Sequence, residues 1–362
     1  MWWIVFGTMG CLTPAAPSVN PAAHGHEHTD EMSPTIQVPD LSDHHTAARP
    51  WTSLAVNDDP SRFHFVVVTD RTGGAREGIF PIGLNKINLV QPAFTVSVGD
   101  LIEGYTKDRA QIDAEWDQFS GFTAKLDAPF FYVAGNHDMM NTQMAAAWAD
   151  RFGASYYHFL YKGALFVVAN SELMDINPDG PDKTRGPGYD EWYDGEARKA
   201  SQAKQMAYLE QVLADNQDVR WTFLFIHKPF WRSGWERPPR DDNGEFILDD
   251  YPVDGPYPTI SAETSDWTRL QAMLADRNYT AFAGHRHSYA YEDVSDGAHT
   301  HEHIALATTG GVSRLRGLRF GEFDHFVWVT MTEDGPTIAN LTLDGVQPAA
   351  LKTPDARPWW LE

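Results

Sequence analysis

The chain has 362 residues, 42% of them apolar and 13% aromatic, which supports a folded protein with a packed core. Its 28 basic residues are outnumbered by 50 acidic ones, and the net charge of −22 repels polyanions, so we expect no nucleic-acid partner and no adhesion to anionic lipid headgroups. Because Cys11 is the single cysteine, internal disulfides and CxxC zinc or redox sites are excluded, and any metal must be bound by His, Asp, Glu or Asn.

Residues 1–60 are typical of a leader and tether, rich in Pro, Ala, Ser, Asp and His after the first apolar run. That run, residues 1–12, is shorter than the roughly 20 residues that cross a bilayer and lacks the basic residues of a secretory signal. Residues 8–11 nevertheless resemble a bacterial lipoprotein cleavage site. We therefore expect Cys11 to be lipidated and to tether the protein to a membrane in a periplasmic or other extracytoplasmic location; an unmodified N-terminal segment is the alternative.

After residue 60 the apolar residues follow regular patterns, which predict a series of strands and helices. In chain order, strands are predicted at 63–68, 95–98, 129–133, 156–161, 165–170, 221–226 and 280–283, and helices at 82–90, 109–126, 144–151, 201–214 and 267–274. Three or more antiparallel strands are predicted between 304 and 343. This order indicates a layered α/β domain over 61–345, followed by a tail at 346–362.

Two segments of the predicted domain do not fit regular elements. Residues 175–200 are rich in Gly, Pro and charge and indicate an insertion, and residues 229–262 form an unusually long proline-rich loop. Loops of this length in compact domains are often functional lids.

Five of the predicted strands end in polar residues that suit a metal site. These residues are Asp70, Asp100, the run Asn136-His137-Asp138, His227, and the pair His285 and His287. In open α/β folds the carboxyl ends of strands converge, and imidazole, carboxylate and amide oxygen bind hard-to-borderline divalent metals. Each residue alone has a structural alternative as a turn residue, a core histidine or a helix cap. Their coincidence at five strand ends predicts a metal centre.

At these motifs the sequence resembles the calcineurin-like metallophosphoesterase family. The matching segments, in the family's order, are 99–103 (GDLIE), 135–138 (GNHD), the strand end at His227, and 284–287 (GHRH). The resemblance implies a four-layer α/β/β/α sandwich with two mixed sheets. It also implies two divalent metal ions (Mn, Fe or Zn) that clamp the phosphoryl group of a small phosphoester while a metal-bound hydroxide attacks in line.

The resemblance also implies a role for each matching residue. The first metal would be bound by Asp70, Asp100 and His287, and the second by Asp100 as a bridge with Asn136, His227 and His285. His137 would be the general acid that protonates the leaving alkoxide, oriented and kept protonated by Glu103, the carboxylate three residues after the bridging Asp100. Arg71 or Arg286 would hold a phosphate oxygen; otherwise each is an ordinary structural cation.

Thr72 departs from the family pattern, because the first motif of the family usually reads Asp-x-His. The first metal would keep three protein ligands, which predicts weaker binding, an additional water or a different metal. Purple acid phosphatases also lack this His, but they have a Tyr where this chain has Glu103. Membership of that group is therefore disfavoured, unless Tyr105 takes the place of the missing Tyr.

We therefore expect a hydrolase of phosphomonoesters or phosphodiesters. Two alternatives stay open: a phosphodiesterase for nucleotides or glycerophospho-compounds, and a non-catalytic relative that binds one metal or a phosphorylated ligand. The alternating His299, His301 and His303 are expected to form a solvated loop, with a third metal site as the alternative.

Overall fold

The computed structural model describes residues 59–174, 195–232 and 264–343, with the short pieces 234–235, 247, 259–260, 345–348, 350 and 352. The predicted tether with Cys11, and most of the insertions predicted at 175–200 and 229–262, lie outside the described residues. Lipidation and an extracytoplasmic location therefore stay predictions. None of the helices in the described part of the chain is long and apolar enough to cross a lipid bilayer.

The described residues alternate between strands and helices for most of the chain. In chain order they form β1 (Phe63–Val68), α1 (Ile79–Val90), β2 (Phe94–Ser97), α2 (Arg109–Thr123), β3 (Phe130–Phe131), α3 (Thr142–Phe152), β4 (Tyr157–Tyr161), β5 (Ala164–Val168), α4 (Glu196–Asp215), β6 (Trp221–Phe225), β7 (Gly234–Trp235), β8 (Thr259–Ile260), α5 (Ser265–Leu274), β9 (Tyr279–Ala283), β10 (Ala290–Asp293), β11 (His301–Ala305), β12 (His325–Thr332), β13 (Gly335–Thr342) and β14 (Val346–Pro348).

Two six-stranded mixed sheets are the framework of the fold, with the strand orders β14-β13-β12-β1-β2-β3 and β10-β11-β9-β6-β5-β4. In the first sheet β1, β2 and β3 are parallel, and β12, β13 and β14 continue the sheet in antiparallel fashion. In the second sheet β5, β6, β9 and β11 are parallel, with an antiparallel strand at each edge. The parallel strands of each sheet therefore end at one common edge.

Three apolar clusters divide the molecule into four layers. The central cluster lies between the sheets, where the fully buried rings of Phe65 and Phe223 meet edge to face at 4.9 Å. The second cluster joins the first sheet to α1, α2 and α3, with Trp116 and Trp148 fully or almost fully buried. The third joins the second sheet to α4 and α5. The predicted α/β/β/α sandwich with two mixed sheets is confirmed.

Several element boundaries differ from the predictions for identifiable reasons. Helix α1 begins at Ile79, because Pro81 lies in the first turn, where a helix needs no donor from its backbone nitrogens. Helix α4 begins at Glu196, inside the predicted insertion, because residues 196–200 (EARKA) are mostly good helix formers that start with an acidic residue at the positive end of the helix. Strand β3 has two residues instead of the expected five.

The C-terminal part of the fold is less uniformly antiparallel than predicted. Strand β11 pairs with β9 in parallel and with β10, which was not predicted, in antiparallel fashion. Strand β14 lies in the segment predicted as a tail and pairs with β13. Within 304–343 the antiparallel prediction holds only for β12 and β13, because pairing partners are chosen by the tertiary arrangement and not by the local pattern.

Candidate metal centre

The polar residues that follow β1, β2, β3, β6 and β9 converge at the carboxyl edge of the two sheets. Two ligand groups form there: Asp70, Asp100 and His287 in one, and Asp100, His227 and His285 in the other. In each group, one ligand atom of every residue lies within 4.8 Å of the others, and Asp100 belongs to both groups. Asn136 joins the second group, since its Oδ1 lies 3.0 Å from Nε2 of His227. The structure thus brings together all six predicted ligands.

The chain makes sharp turns to present these ligands. Asp100, His285 and His287 have φ angles of 58°, 69° and 49°, in the left-handed region that residues with a Cβ rarely adopt. Such strain persists only where the surroundings enforce it and is concentrated at functional sites. Two glycines allow the close approach of the carboxylates: a Cβ on Gly135 would lie 2.2 Å from Oδ1 of Asp100, and a Cβ on Gly284 would lie 2.2 Å from Oδ2 of Asp70.

Asp138 holds the turn after β2 against the turn after β3. Its buried carboxylate accepts hydrogen bonds from the backbone nitrogens of Asp100, Leu101 and Gly135, each at 2.8 Å, and of Ile102 at 3.2 Å. No separate role for Asp138 was predicted from the sequence. Its position as the fourth residue of the GNHD motif was the only local signal, because three of its four partners lie nearly forty residues away.

Backbone carbonyls orient two of the histidines. Nδ1 of His227 lies 2.8 Å from the Val98 carbonyl oxygen, and Nδ1 of His287 lies 2.6 Å from the Val312 carbonyl oxygen. Since a carbonyl only accepts, each Nδ1 carries the proton and each Nε2 is left as a ligand atom. A hydrogen bond from the second ring nitrogen is typical of metal-binding histidines, because it fixes the tautomer and the ring direction.

The electrostatics of the site favour a cation. Burial raises the pKa of Asp100, but the charge of His227, whose Nε2 lies 3.2 Å from Oδ2, and the other nearby histidines lower it overall, so this carboxyl is ionised. Burial lowers the pKa of His227, but the nearby carboxylates, Asp100 first, raise it to about 9, so at neutral pH a metal ion would bind Nε2 by displacing its proton. Burial and the neighbouring His227 hold the pKa of His285 well below its usual range. Buried carboxylates beside a neutral imidazole are a donor set that a divalent cation fits.

The first group has three ligands, in agreement with the substitution at Thr72. Among the described residues no further His, Cys, Asp or Glu belongs to that group. Thr72 is fully buried next to it, and its backbone nitrogen donates to the Asp100 carbonyl at 3.3 Å. The His287 ring packs over the adjacent Gly73, where a Cβ would lie 3.0 Å from the ring carbon Cε1.

A cavity of about 450 Å³ opens over the two groups, and His137 and Arg286 line its wall. Arg314, Val312 and Tyr105 also line it, and the first two were not predicted from the sequence. The available signal was the concentration of arginines at 314–319 in a strongly acidic chain.

His137 is oriented by the backbone of Glu103 and not by its carboxylate. Nδ1 of His137 donates to the Glu103 carbonyl oxygen at 2.7 Å, which leaves Nε2 as the second ring nitrogen. The Glu103 carboxylate instead accepts from the backbone nitrogens of Ala75 at 2.7 Å and Gly74 at 3.2 Å. The predicted carboxylate–imidazole pair is therefore wrong: the side chain turns toward the loop after β1, where two donors satisfy its charge.

Arg71 does not face the cavity, so its predicted contact with a phosphate oxygen is wrong. Its guanidinium donates to the Leu101 carbonyl at 3.0 Å and to Oε1 of Gln118 at 2.8 Å, and it lies 5.1 Å from the centre of the Phe122 ring. These partners bury the side chain on the helical side of the first sheet.

Tyr105 contacts both the second ligand group and His137. Its hydroxyl accepts a hydrogen bond of 2.8 Å from Nδ2 of Asn136, and its ring lies edge-on to the His137 ring with the centres 4.3 Å apart. The contact fixes the Asn136 amide so that Oδ1 points at His227. The hydroxyl of Tyr105 therefore orients a predicted ligand.

Comparisons with known proteins agree with this geometry. The model of the calcineurin-like phosphoesterase family matches residues 41–302. The serine/threonine-protein phosphatase CPPED1 of Rattus norvegicus is 28% identical over 213 residues, or 57% of each chain. The same protein of Bos taurus is 31% identical over 127 residues, which cover 33% of this chain and 38% of the relative. The matches thus span between 38% and 57% of the length of these curated relatives.

A solved structure, a dimetal phosphatase from Danio rerio, has the same fold. It aligns with a TM-score of 0.51 at 14% sequence identity, over 80% of this chain and 99% of the other. At this identity the likeness concerns the fold alone.

Proposed function

The chain belongs to the calcineurin-like phosphoesterase family, and from this premise we propose that it is a metal-dependent hydrolase of phosphate monoesters with a dinuclear metal centre. The observation that carries the proposal is the position of Asp100 in both ligand groups. A carboxylate that belongs to both groups is suited to bridge two cations. The names of the curated relatives, serine/threonine-protein phosphatases, support monoesters as the substrate class.

The residues present fit such a centre, with Asp70, Asp100 and His287 as ligands of one cation and Asp100, Asn136, His227 and His285 as ligands of the other. When bound, the cations would offset the charge of the phosphoryl group and make a water nucleophilic at neutral pH. The carbonyls of Val98 and Val312 hold the imidazoles of His227 and His287 in the ligating tautomer. Which of Mn, Fe and Zn would bind depends on the supply of each metal as well as on these donors.

The proton for the leaving oxygen comes from His137 in this proposal. Its Nδ1 is held by the Glu103 carbonyl, and its backbone nitrogen donates to Oδ1 of Asp100 at 2.9 Å, so the ring is fixed relative to the bridging residue. The remaining Nε2 belongs to a side chain that lines the cavity, where the ester binds. Arg286, in the same wall, would hold a phosphate oxygen.

A non-catalytic relative with one bound metal is the second candidate, and the three-ligand group beside Thr72 is the observation that favours it. Metal stoichiometry separates the two: the enzyme binds two ions per chain at this centre and the relative binds one.

The test is hydrolysis of p-nitrophenyl phosphate and of its bis-ester by the full chain, with Mn²⁺, Zn²⁺ and Fe²⁺ supplied in turn. We expect turnover of the monoester to exceed that of the diester. Asn136→Ala should weaken metal binding and activity by about 10- to 100-fold, the effect usual for lost metal-site partners. His64→Ala, a substitution of a half-buried histidine on β1 that faces Trp328, is the matched control.

Turnover that is equal in the Asn136→Ala variant and the wild type would overturn the assignment of the centre. A folded protein that binds one ion and hydrolyses neither ester would favour the non-catalytic relative. A higher rate with the bis-ester than with the monoester would favour the phosphodiesterase alternative.

A further inference from the structure

We propose a further metal-binding site, distinct from the catalytic centre, formed by Asp296, His299 and His301 and suited to a borderline divalent cation such as Zn²⁺. These residues lie on the connection between β10 and β11 and at the first position of β11. Strand β11 runs parallel to β9, with His301 opposite Tyr279 and Ala305 opposite Ala283. The cluster is therefore at the amino edge of the second sheet, whereas the catalytic centre is at the carboxyl edge.

The three side chains meet closely enough to share one ion. One ligand atom of each lies within 4.8 Å of the others, and Nδ1 of His299 is 3.9 Å from Oδ2 of Asp296. That separation is too long for a hydrogen bond. In a tetrahedral zinc site two donor atoms, each about 2.0–2.1 Å from the ion, lie about 3.4 Å apart, so a side-chain shift of about 0.5 Å would bring these two atoms to binding distance.

An unsatisfied ring nitrogen points to a missing partner. Nδ1 of His299 is buried and has no hydrogen-bond partner, although it belongs to a surface loop. Buried polar atoms almost always have a hydrogen-bond partner, so a nitrogen without one beside a carboxylate indicates that a bound partner is missing. A cation between Nδ1 of His299 and Oδ2 of Asp296 would satisfy both atoms at once.

The other two ligands are already oriented. Oδ1 of Asp296 accepts from the backbone nitrogens of Ala298 at 2.8 Å and His299 at 2.7 Å, which leaves Oδ2 for an ion and lowers the pKa of this carboxyl. Nε2 of His301 lies 3.1 Å from the Arg277 carbonyl oxygen, so it carries the proton and leaves Nδ1 with the lone pair. A ligand imidazole held by a backbone carbonyl is the arrangement also found at the catalytic centre.

His303 is not part of this cluster, although the sequence pattern grouped it with the other two. Its Nε2 contacts the Tyr279 hydroxyl at 2.8 Å, and its ring packs on Trp231 with the centres 4.8 Å apart. His301 and His303 belong to a buried strand, so the expected solvated loop is wrong for both. The third metal ligand is the aspartate before the histidines.

The donor set indicates which ions would bind. Two imidazoles and one carboxylate suit Zn²⁺, Ni²⁺ or Cu²⁺, whereas Mg²⁺ and Ca²⁺ prefer oxygen donors alone. Three protein ligands leave a position for water. Because the ion would join the loop to the start of β11, its binding would stabilise the folded protein by mass action.

The experiment counts zinc per chain in the full-length protein after dialysis against a fixed concentration of free Zn²⁺. We expect His299→Ala and Asp296→Asn each to bind about one zinc fewer than the wild type. Asp296→Asn keeps Oδ1 as the acceptor that shapes the loop, so the fold is preserved. Asp293→Asn, which removes the same charge from the neighbouring strand β10, is the matched control and should bind as much zinc as the wild type.

Equal zinc content in the wild type and in both cluster variants would overturn the proposal, and so would an equal loss in Asp293→Asn. Phosphatase activity should be the same in all four proteins, because none of the substituted residues lines the catalytic cavity. The zinc count does not depend on turnover, so the proposal can fail or hold independently of the proposed catalytic function.

Discussion

At the scale of single residues, the candidate centre depends on backbone groups as much as on side chains. The carbonyls of Val98, Glu103 and Val312 each accept from a histidine Nδ1, and so determine which ring nitrogen is available for chemistry. A carbonyl cannot titrate or be removed by substitution, which makes this a stable way to hold a tautomer. It also changes what substitutions at the site should do.

His137→Ala should lower kcat by about 10²- to 10⁴-fold, the usual contribution of a general acid. The loss should be larger for an alkyl phosphate than for p-nitrophenyl phosphate, because p-nitrophenolate leaves without a proton. Steady-state kinetics on both esters, with metal content measured in parallel, provide the comparison. An equal loss on the two esters would mean that His137 does not protonate the leaving group.

Glu103→Gln should leave the pH profile of kcat/KM nearly unchanged, with a loss of activity below about tenfold. The carboxylate contacts the amides of residues 74 and 75 and not the His137 ring, and the carbonyl that holds this ring is retained. If the carboxylate did act on the His137 ring, its removal would move the basic limb of the profile to lower pH. Such a shift would contradict the assignment of the carbonyl as the orienting group.

At the scale of elements, the loop after β1 and the loop before β12 form one wall of the centre and are joined by Arg76. Its guanidinium forms a two-point ion pair with Asp324, one contact being 2.9 Å, and donates to the Gly311 carbonyl at 2.9 Å. The next residue, Val312, supplies the carbonyl that orients His287. Thus the direction of one ligand depends on an ion pair between distant parts of the chain.

Arg76→Lys should weaken metal binding at the group of Asp70, Asp100 and His287 by about tenfold, because lysine cannot make the forked contact with carboxylate and carbonyl. Isothermal titration with Mn²⁺ measures the change. Arg109→Lys, which alters the exposed pair of Arg109 with Asp150 on the helical side, is the matched control and should have no effect on metal binding. Equal Mn²⁺ affinities in Arg76→Lys and the wild type would show that the contacts of Arg76 do not affect metal binding.

At the scale of the whole molecule, the two sheets are held together by the aromatic cluster between them and by the polar contacts of His325. This residue lies on β12 of the first sheet, and its Nε2 accepts from the backbone nitrogen of Ala307, just after β11 of the second sheet, at 3.0 Å. Its Nδ1 donates to Oδ1 of Asn340 on β13 at 2.9 Å. Protonation of Nε2 would place its N–H against the backbone N–H of Ala307, which is also a donor. Burial lowers the pKa of His325 to about 4.

The free energy of unfolding should therefore fall as the pH decreases from about 6.5 toward 4. In this window the unfolded chain binds a proton at residue 325 that the folded protein excludes, which favours unfolding by up to about 3 kcal/mol. Urea titrations of the metal-free protein at several pH values measure the effect. His325→Gln, which cannot titrate, should show a shallower decline, and a decline as steep as that of the wild type would contradict the assignment.

Much of the fold and of the candidate site could be predicted from the sequence. Strands that end in Asp70, Asp100, His227 and His285 have a local apolar pattern, and local pattern depends on neighbours in the chain. The spacing of the GNHD and GHRH motifs, with the resemblance that they carry, led to the two mixed sheets and to the six ligand residues. These features require no knowledge of which segments meet.

Only the tertiary structure decided the directions of side chains and the choice of strand partners. The Glu103 carboxylate and the Arg71 guanidinium turn away from the cavity because donors and acceptors from other segments satisfy them. The carboxylate of Asp70 meets the backbone nitrogen of His285 across 215 positions of the chain. Strands β10 and β14 likewise follow from contacts between segments. Such contacts have no local signature, since their free energy exists only once the sheets have assembled.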